Sequence, residues 1–195
     1  MNWYTYAVES SKNDNGTLEE VFHVIDDITY SFLSIFPPIT EWQKQERVKQ
    51  ACLYLLTFQN KLGTTGALYC WAGIESDGDY KDGAENGLDC SGSVVTVAVY
   101  SCLESPEWFS DCRMVADMRQ KMVVTDSPKV GSCAFYGDTH VAMVCYVDPF
   151  GQAYVMSMSG GGKTTKNNDP NARAKLVKAE YWSAFTEFRN FPGMA

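Results

Sequence analysis

Histidine is scarce in this chain, with two in 195 residues, His23 and His140. Any imidazole that serves as a general base must be one of them. CxxC spacing is absent, and the seven cysteines are an odd number. Neither a disulfide framework nor a zinc site is expected, and the cysteines read as reduced thiols in a chain made in the cytoplasm. Positive charge is short as well, with 16 Lys and Arg against 24 Asp and Glu and a formal net charge of −8. Such a chain offers no attraction to nucleic acid or to an anionic membrane, so neither is expected as a partner. No apolar run reaches the length of a bilayer span. The best, residues 28–35, is too short and follows Asp26 and Asp27. The first residues, Met1 to Tyr6, lack a basic start and lead into no apolar run, so no signal peptide is expected.

What is present suits one soluble globular domain with an N-terminal extension. Apolar residues make up 45% and aromatic residues 13%, enough for a full core. Residues 10–16 form a polar turn. Thr17 then caps a helix with Glu19 and Glu20 in its first turn, and Pro37-Pro38 ends it. Plain packing is the favoured role of that helix. Thr40-Glu41-Trp42-Gln43 is a capping-box pattern that opens a second helix, expected to run to Gly63. Its apolar positions Val48, Ala51, Cys52, Leu55 and Phe58 follow helical spacing.

The chemistry concentrates at Leu88-Asp89-Cys90-Ser91-Gly92. The run after it, Val94 to Tyr100, is apolar, β-branched and free of turn residues. A buried helix or a strand would both fit it. Asp89 and Ser91 favour the helix, because their side chains accept hydrogen bonds from the first free backbone N–H groups. A thiol at a helix start sits in the positive end of the dipole, which lowers its pKa and makes it a nucleophile. His140 opens an apolar segment, His140 to Asp148, that reads as a strand beginning after the turn Gly137-Asp138-Thr139. Cysteine on a helix start and histidine on a later strand form a Cys/His dyad pattern. His23 lies far upstream in a helix and is a poor base candidate.

Four elements in order make this pattern specific: Tyr69-Cys70-Trp71-Ala72-Gly73, Asp89-Cys90-Ser91-Gly92, Lys129 to Phe135, and His140-Val141-Ala142-Met143-Val144. Together they resemble the NlpC family of papain-like cysteine peptidases, across residues 63–190. The resemblance implies an α+β papain-like NlpC fold, with helices packed on a central antiparallel sheet. Residues 1–38 would be a helical extension and residues 39–195 the catalytic domain. It implies a hydrolase of peptidoglycan stem peptides, cutting at the γ-D-glutamyl–diamino acid bond, with no cofactor or metal. Cys90 would be the nucleophile and His140 the base. Tyr69 and Trp71 would line the cleft, and Asp89 and Ser91 would contact the peptide. The third catalytic group would fall in the strand Tyr154 to Ser159. Alternation and the glycines that follow point to Ser157, with a backbone carbonyl in its place, or a dyad that works alone, as the alternatives. An amidase or acyltransferase with the same dyad, or a catalytically weak wall-binding module, remain alternatives. The wall lies outside the membrane and the chain shows no export signal, which implies action after release, after injection or as part of a phage particle.

Departures from the family pattern stand at Ala72 for glycine, read as a mild change, at Ser93 for an apolar residue and at Ser132 for aspartate. Residues 73–88 hold Glu75, Asp77, Asp79, Asp82 and Glu85 and read as a solvated surface loop. A negative wall beside the cleft, attracting amines, is the sharper alternative. Asp77-x-Asp79 lacks the glycine and glutamate offsets of a calcium loop. Ser157 to Thr164 approximates a phosphate-binding loop, but it lacks the first glycine and no helix-forming segment follows. A glycine-rich turn flanking the cleft fits it better.

Overall fold

In the computed structural model, which describes residues 39–181, 185 and 187–194, Thr40 caps the first described helix as its pattern predicts. The Thr40 hydroxyl accepts from the Gln43 N–H at 3.2 Å, and the Gln43 side chain accepts from the Thr40 N–H at 2.8 Å. Helix α1, Glu41–Thr57, buries Val48, Ala51, Cys52 and Leu55 along one stripe. It ends six residues before Gly63. The backbone turns extended at Phe58. Asn60 then organises a tight turn, accepting from Leu62 and Thr64 N–H at 3.0 and 3.3 Å and donating to the Gly66 carbonyl at 2.7 Å. Such local side-chain bonds compete with helix continuation. The expected helix over residues 17–36, its role and His23 lie outside the described residues.

Four shorter helices follow: α2 Tyr80–Asn86, α3 Cys90–Tyr100, α4 Pro106–Ser110 and α5 Val115–Lys121. Helix α2 lies inside the segment expected to be a plain loop. Asp79 caps it, accepting from the Lys81 and Asp82 N–H at 3.0 and 3.1 Å. Tyr80, Ala84 and Leu88 enter the core. The acids of this segment are therefore spaced by a helix that is apolar on its inner side, and composition alone conceals it.

The strands are β1 Val123–Thr125, β2 Cys133–Tyr136, β3 His140–Val147, β4 Ala153–Ser159, β5 Arg173–Lys178 and β6 Glu187–Asn190. They form one six-stranded sheet in the order β1-β6-β2-β3-β4-β5, with every neighbouring pair antiparallel. The fold is α+β, with helices on an antiparallel sheet. Side chains alternate between its faces. Cys133, Phe135, Val141, Met143, Met156 and Met158 join the cluster that contains α1 and α3. Ala134, Ala142, Val144 and Val155 form a second cluster with Ala179, against which Phe185 and Phe188 pack. Helix α3 is buried over nearly its whole length, which explains a run apolar on all sides. No helix among the described residues is long and apolar enough to cross a membrane.

Candidate active site

Cys90 is the first residue of α3, and Asp89 is its cap. One Asp89 carboxylate oxygen accepts from the Gly92 N–H at 2.6 Å and the Ser91 hydroxyl at 3.0 Å. The other accepts from the Ala72 N–H at 3.0 Å. Asp89 thus ties the helix start to the Tyr69–Gly73 segment. The backbones meet closely there. A Cβ at Gly92 would collide with the Gly73 carbonyl oxygen, and one at Gly73 would collide with the Gly87 carbonyl oxygen. Glycine is required at both positions for close approach of main chain to main chain.

Ala72 is not the mild change its composition suggests. Its φ is 61°, in the left-handed region where a Cβ is strained. A glycine would hold that conformation freely. Asp89 fixes Ala72 by its N–H, and the Arg113 guanidinium donates to its carbonyl at 3.4 Å. The other two departures are both satisfied. The Ser93 hydroxyl donates to the Cys90 carbonyl at 2.9 Å. The Ser132 hydroxyl accepts from the Lys129 N–H at 2.9 Å and donates to Asn190 at 2.6 Å, joining the start of β2 to β6.

His140 opens β3 opposite Tyr136 of β2. Its Nε2 lies 2.9 Å from the Ser157 hydroxyl, and its ring stacks on Phe185 with centroids 6.0 Å apart. Ser157 is fully buried in β4. Burial lowers the His140 pKa from its ordinary 6.5. The Cys90 thiol moves the opposite way from expectation. Burial pushes it up from 9.0, and the Asp89 carboxylate adds to that. Hydrogen bonds from the Val141, Ser91 and Cys90 backbone pull it back without overcoming the rise. The helix start stabilises a thiolate, but the carboxylate that caps the helix opposes it. Both groups therefore favour their neutral forms at rest.

Cys90, His140, Tyr69 and Trp71 line one cleft of about 250 Å³. Ser157 stands behind His140, outside the lining. Asp89 and Ser91 are not part of the lining either, since Asp89 is spent on holding the turn. Residues missed by sequence reasoning complete the cleft. Tyr136 and Thr139 come from the β2–β3 hairpin, and Met158 and Ser159 from the end of β4. Their proximity follows from strand register, which no local motif carries. Gly160 and Gly161, from the turn expected to flank the cleft, do flank it. A Cβ at Gly161 would enter the Tyr69 ring, so this glycine lets the turn lie flat on the aromatic face. Strand β5, not a helix, is the next regular element after that turn, in keeping with rejection of a phosphate-binding loop. Tyr69 is held from both sides. Its N–H donates to the Ala172 carbonyl at 2.8 Å, and its carbonyl accepts from the Asn167 N–H at 2.9 Å. Burial, with the ionisable Cys90 and Asp89 groups beside it, drives its phenol pKa well up, so it stays a hydrogen-bond donor.

All seven cysteines carry free thiols, and among the described residues no cluster of three or more His, Cys, Asp or Glu could hold a metal ion.

No protein-family model matches this chain, and a search of the curated proteins finds no match. Among solved structures, the chain is similar to that of the peptidoglycan hydrolase RipB from Mycobacterium tuberculosis. The two share 19% identity, and the match covers 90% of this chain and 86% of that one at a TM-score of 0.44.

Proposed function

We propose that this chain is a papain-like cysteine peptidase that hydrolyses peptidoglycan stem peptides at the γ-D-glutamyl–diamino acid bond. The observation that carries the reading is the grouping of Cys90, His140 and Ser157. Thiol and imidazole line one cleft, and a buried hydroxyl 2.9 Å from Nε2 holds the ring. The substrate and the bond come from the sequence resemblance.

With Nε2 engaged by Ser157, proton exchange with the thiol falls to Nδ1. Because both groups are neutral at rest, His140 acts as a general base. It takes the Cys90 proton as Sγ attacks the scissile carbonyl carbon. The Cys90 backbone N–H at the start of α3 is the oxyanion donor. The C–N bond then breaks, and the imidazolium returns its proton to the leaving amine. A Cys90 thioester remains. Water, deprotonated by His140, hydrolyses it and regenerates the thiol. The Ser157 hydroxyl keeps the imidazole in one orientation throughout.

Digestion of purified muropeptides, read by mass spectrometry, tests the proposal. Products split between the γ-D-glutamyl residue and the diamino acid are expected from the wild type and not from Cys90→Ala. Intact muropeptides after exhaustive digestion, or cleavage that survives Cys90→Ala, would sink it.

A further inference from the structure

Ser159 is a buried polar residue that the mechanism so far leaves unused. It is the last residue of β4 and lines the cleft, yet it is only 6% exposed. Among the described residues its hydroxyl makes no hydrogen bond to the protein, and it is not sealed from the cleft. Ser101, whose hydroxyl also lacks a partner, is sealed inside the protein, whereas Ser159 faces the cleft. A hydroxyl on a cleft wall that is not spent on the protein is free to bond whatever enters the cleft, and such convergent polar groups fix a ligand's orientation.

Strand register gives Ser159 its position. Met143 of β3 pairs with Met156 of β4. Continuing that antiparallel ladder three residues towards the cleft brings Ser159 opposite His140. Ser157 and Ser159 share a face, two residues apart on one strand. Ser157 reaches back to Nε2 of His140, whereas Ser159 lines the cleft together with His140, Tyr69 and Cys90. Two hydroxyls on one strand thus divide their tasks, one orienting the base and the other facing whatever the base acts upon.

We propose that Ser159 is a substrate-contacting residue whose hydroxyl accepts a hydrogen bond from the N–H of the amide being cleaved. The oxyanion has its backbone donor at the start of α3, and the imidazole has Ser157. The scissile nitrogen needs an acceptor so that its lone pair turns towards the proton on His140. A hydroxyl beside the imidazole supplies one. The proposal rests on the peptidase reading of the cleft and predicts a preference for amides over esters. An ester of the same acyl group has no N–H to donate.

The test compares γ-D-glutamyl p-nitroanilide with the p-nitrophenyl ester of the same acyl group. Ser159→Ala should lower the anilide-to-ester ratio of kcat/KM about ten-fold, the worth of one ordinary hydrogen bond. Ser159→Thr, which keeps the hydroxyl, should retain the ratio. Both substrates are read on one sample, so the ratio is independent of the folded fraction. An unchanged ratio in Ser159→Ala overturns the assignment, as does a wild type whose Cys90 is acylated by the ester but which leaves the anilide intact. Acylation of Cys90 by neither compound overturns this proposal and the cysteine-peptidase reading together. A lowered ratio with muropeptides left intact would uphold Ser159 and remove only the peptidoglycan substrate.

Discussion

On the nucleophile side of the cleft, main chain touches main chain. Gly92 lies against the Gly73 carbonyl, Gly73 against the Gly87 carbonyl, and one carboxylate, Asp89, bolts the helix start to a strained Ala72. On the base side, position comes from strand register and from hydroxyls. His140 stands at the head of β3, Ser157 supports it from β4, and Ser159 closes the end of that strand. Backbone contact has no slack, because an added methyl group must displace a peptide. A hydroxyl on a strand can be removed without moving the strand. Damage on the nucleophile side should therefore reach fold and chemistry together, and damage on the base side should reach chemistry first.

The largest expected effect separates the two sides most sharply. His140→Ala should lower kcat by about 10²- to 10⁴-fold, the usual contribution of a positioned general base. The melting temperature should fall only modestly, by the loss of the ring's bond to Ser157 and its stacking on Phe185. The pH profile sharpens the point. In the proposed mechanism neutral imidazole is the working form, and it is populated above its pKa, which burial lowers from 6.5. The acid limb of kcat/KM should thus have its midpoint below pH 6.5. The Cys90 thiol, pushed up from 9.0, should not react with iodoacetamide ahead of the other six cysteines at mildly acidic pH. Preferential labelling of Cys90 at pH 6 would restore the resting thiolate that its helix-start position suggests.

Next comes Gly92→Ala, on the other side. The new methyl group would meet the Gly73 carbonyl oxygen and approach an Asp89 carboxylate oxygen at 3.1 Å. Overpacking of this kind costs about 1–3 kcal/mol. Denaturant unfolding should show that loss, and turnover should fall with it as Cys90 and Trp71 shift. Full stability with full activity would mean that the two segments separate more easily than their contact suggests.

These contrasts also mark what the sequence made legible. The helix carrying Cys90, the strand opened by His140 and the partnership of Ser157 with His140 were readable, because capping residues, apolar runs and alternation are local signals. Helix α2 was hidden by its acids, since Tyr80, Ala84 and Leu88 are too few to outweigh them in composition. The end of α1 was misplaced because the Asn60 turn competes with helix only through side-chain geometry. Tyr136, Thr139 and Ser159 were missed because pairing between distant strands brings them to the cleft. The rise in the Cys90 pKa was missed because burial is a property of the fold. Sequence shows the helix start that favours the thiolate and not the desolvation that opposes it.

A smaller effect is expected at Ser157. Ser157→Ala removes one hydrogen bond to His140 and should lower turnover about ten-fold, the worth of roughly 1–1.5 kcal/mol. The loss should appear in kcat, with KM held, because the hydroxyl stands behind the imidazole and outside the cleft lining. A rise in KM at unchanged kcat would assign Ser157 to substrate binding and leave the imidazole to some other support.

The smallest effect is expected at Ala72, where the nucleophile side carries a strain that a single substitution can relieve. At φ 61° the Ala72 methyl group crowds its own backbone. Left-handed geometry costs a non-glycine residue about 1–2 kcal/mol. Ala72→Gly removes that cost, but it also frees the unfolded chain, which takes back about 0.4–1 kcal/mol. The balance is a gain of somewhat under about 1 kcal/mol, visible as a small rise in the denaturant midpoint at constant slope. Activity should hold, because the Ala72 N–H still reaches Asp89 and its carbonyl still receives Arg113. The sign carries the information. At an ordinary helical or extended position the same change loses stability, so a loss here would mean that Ala72 is not held left-handed in solution. The tight joint between Trp71 and the start of α3 would then be looser than the base side it faces.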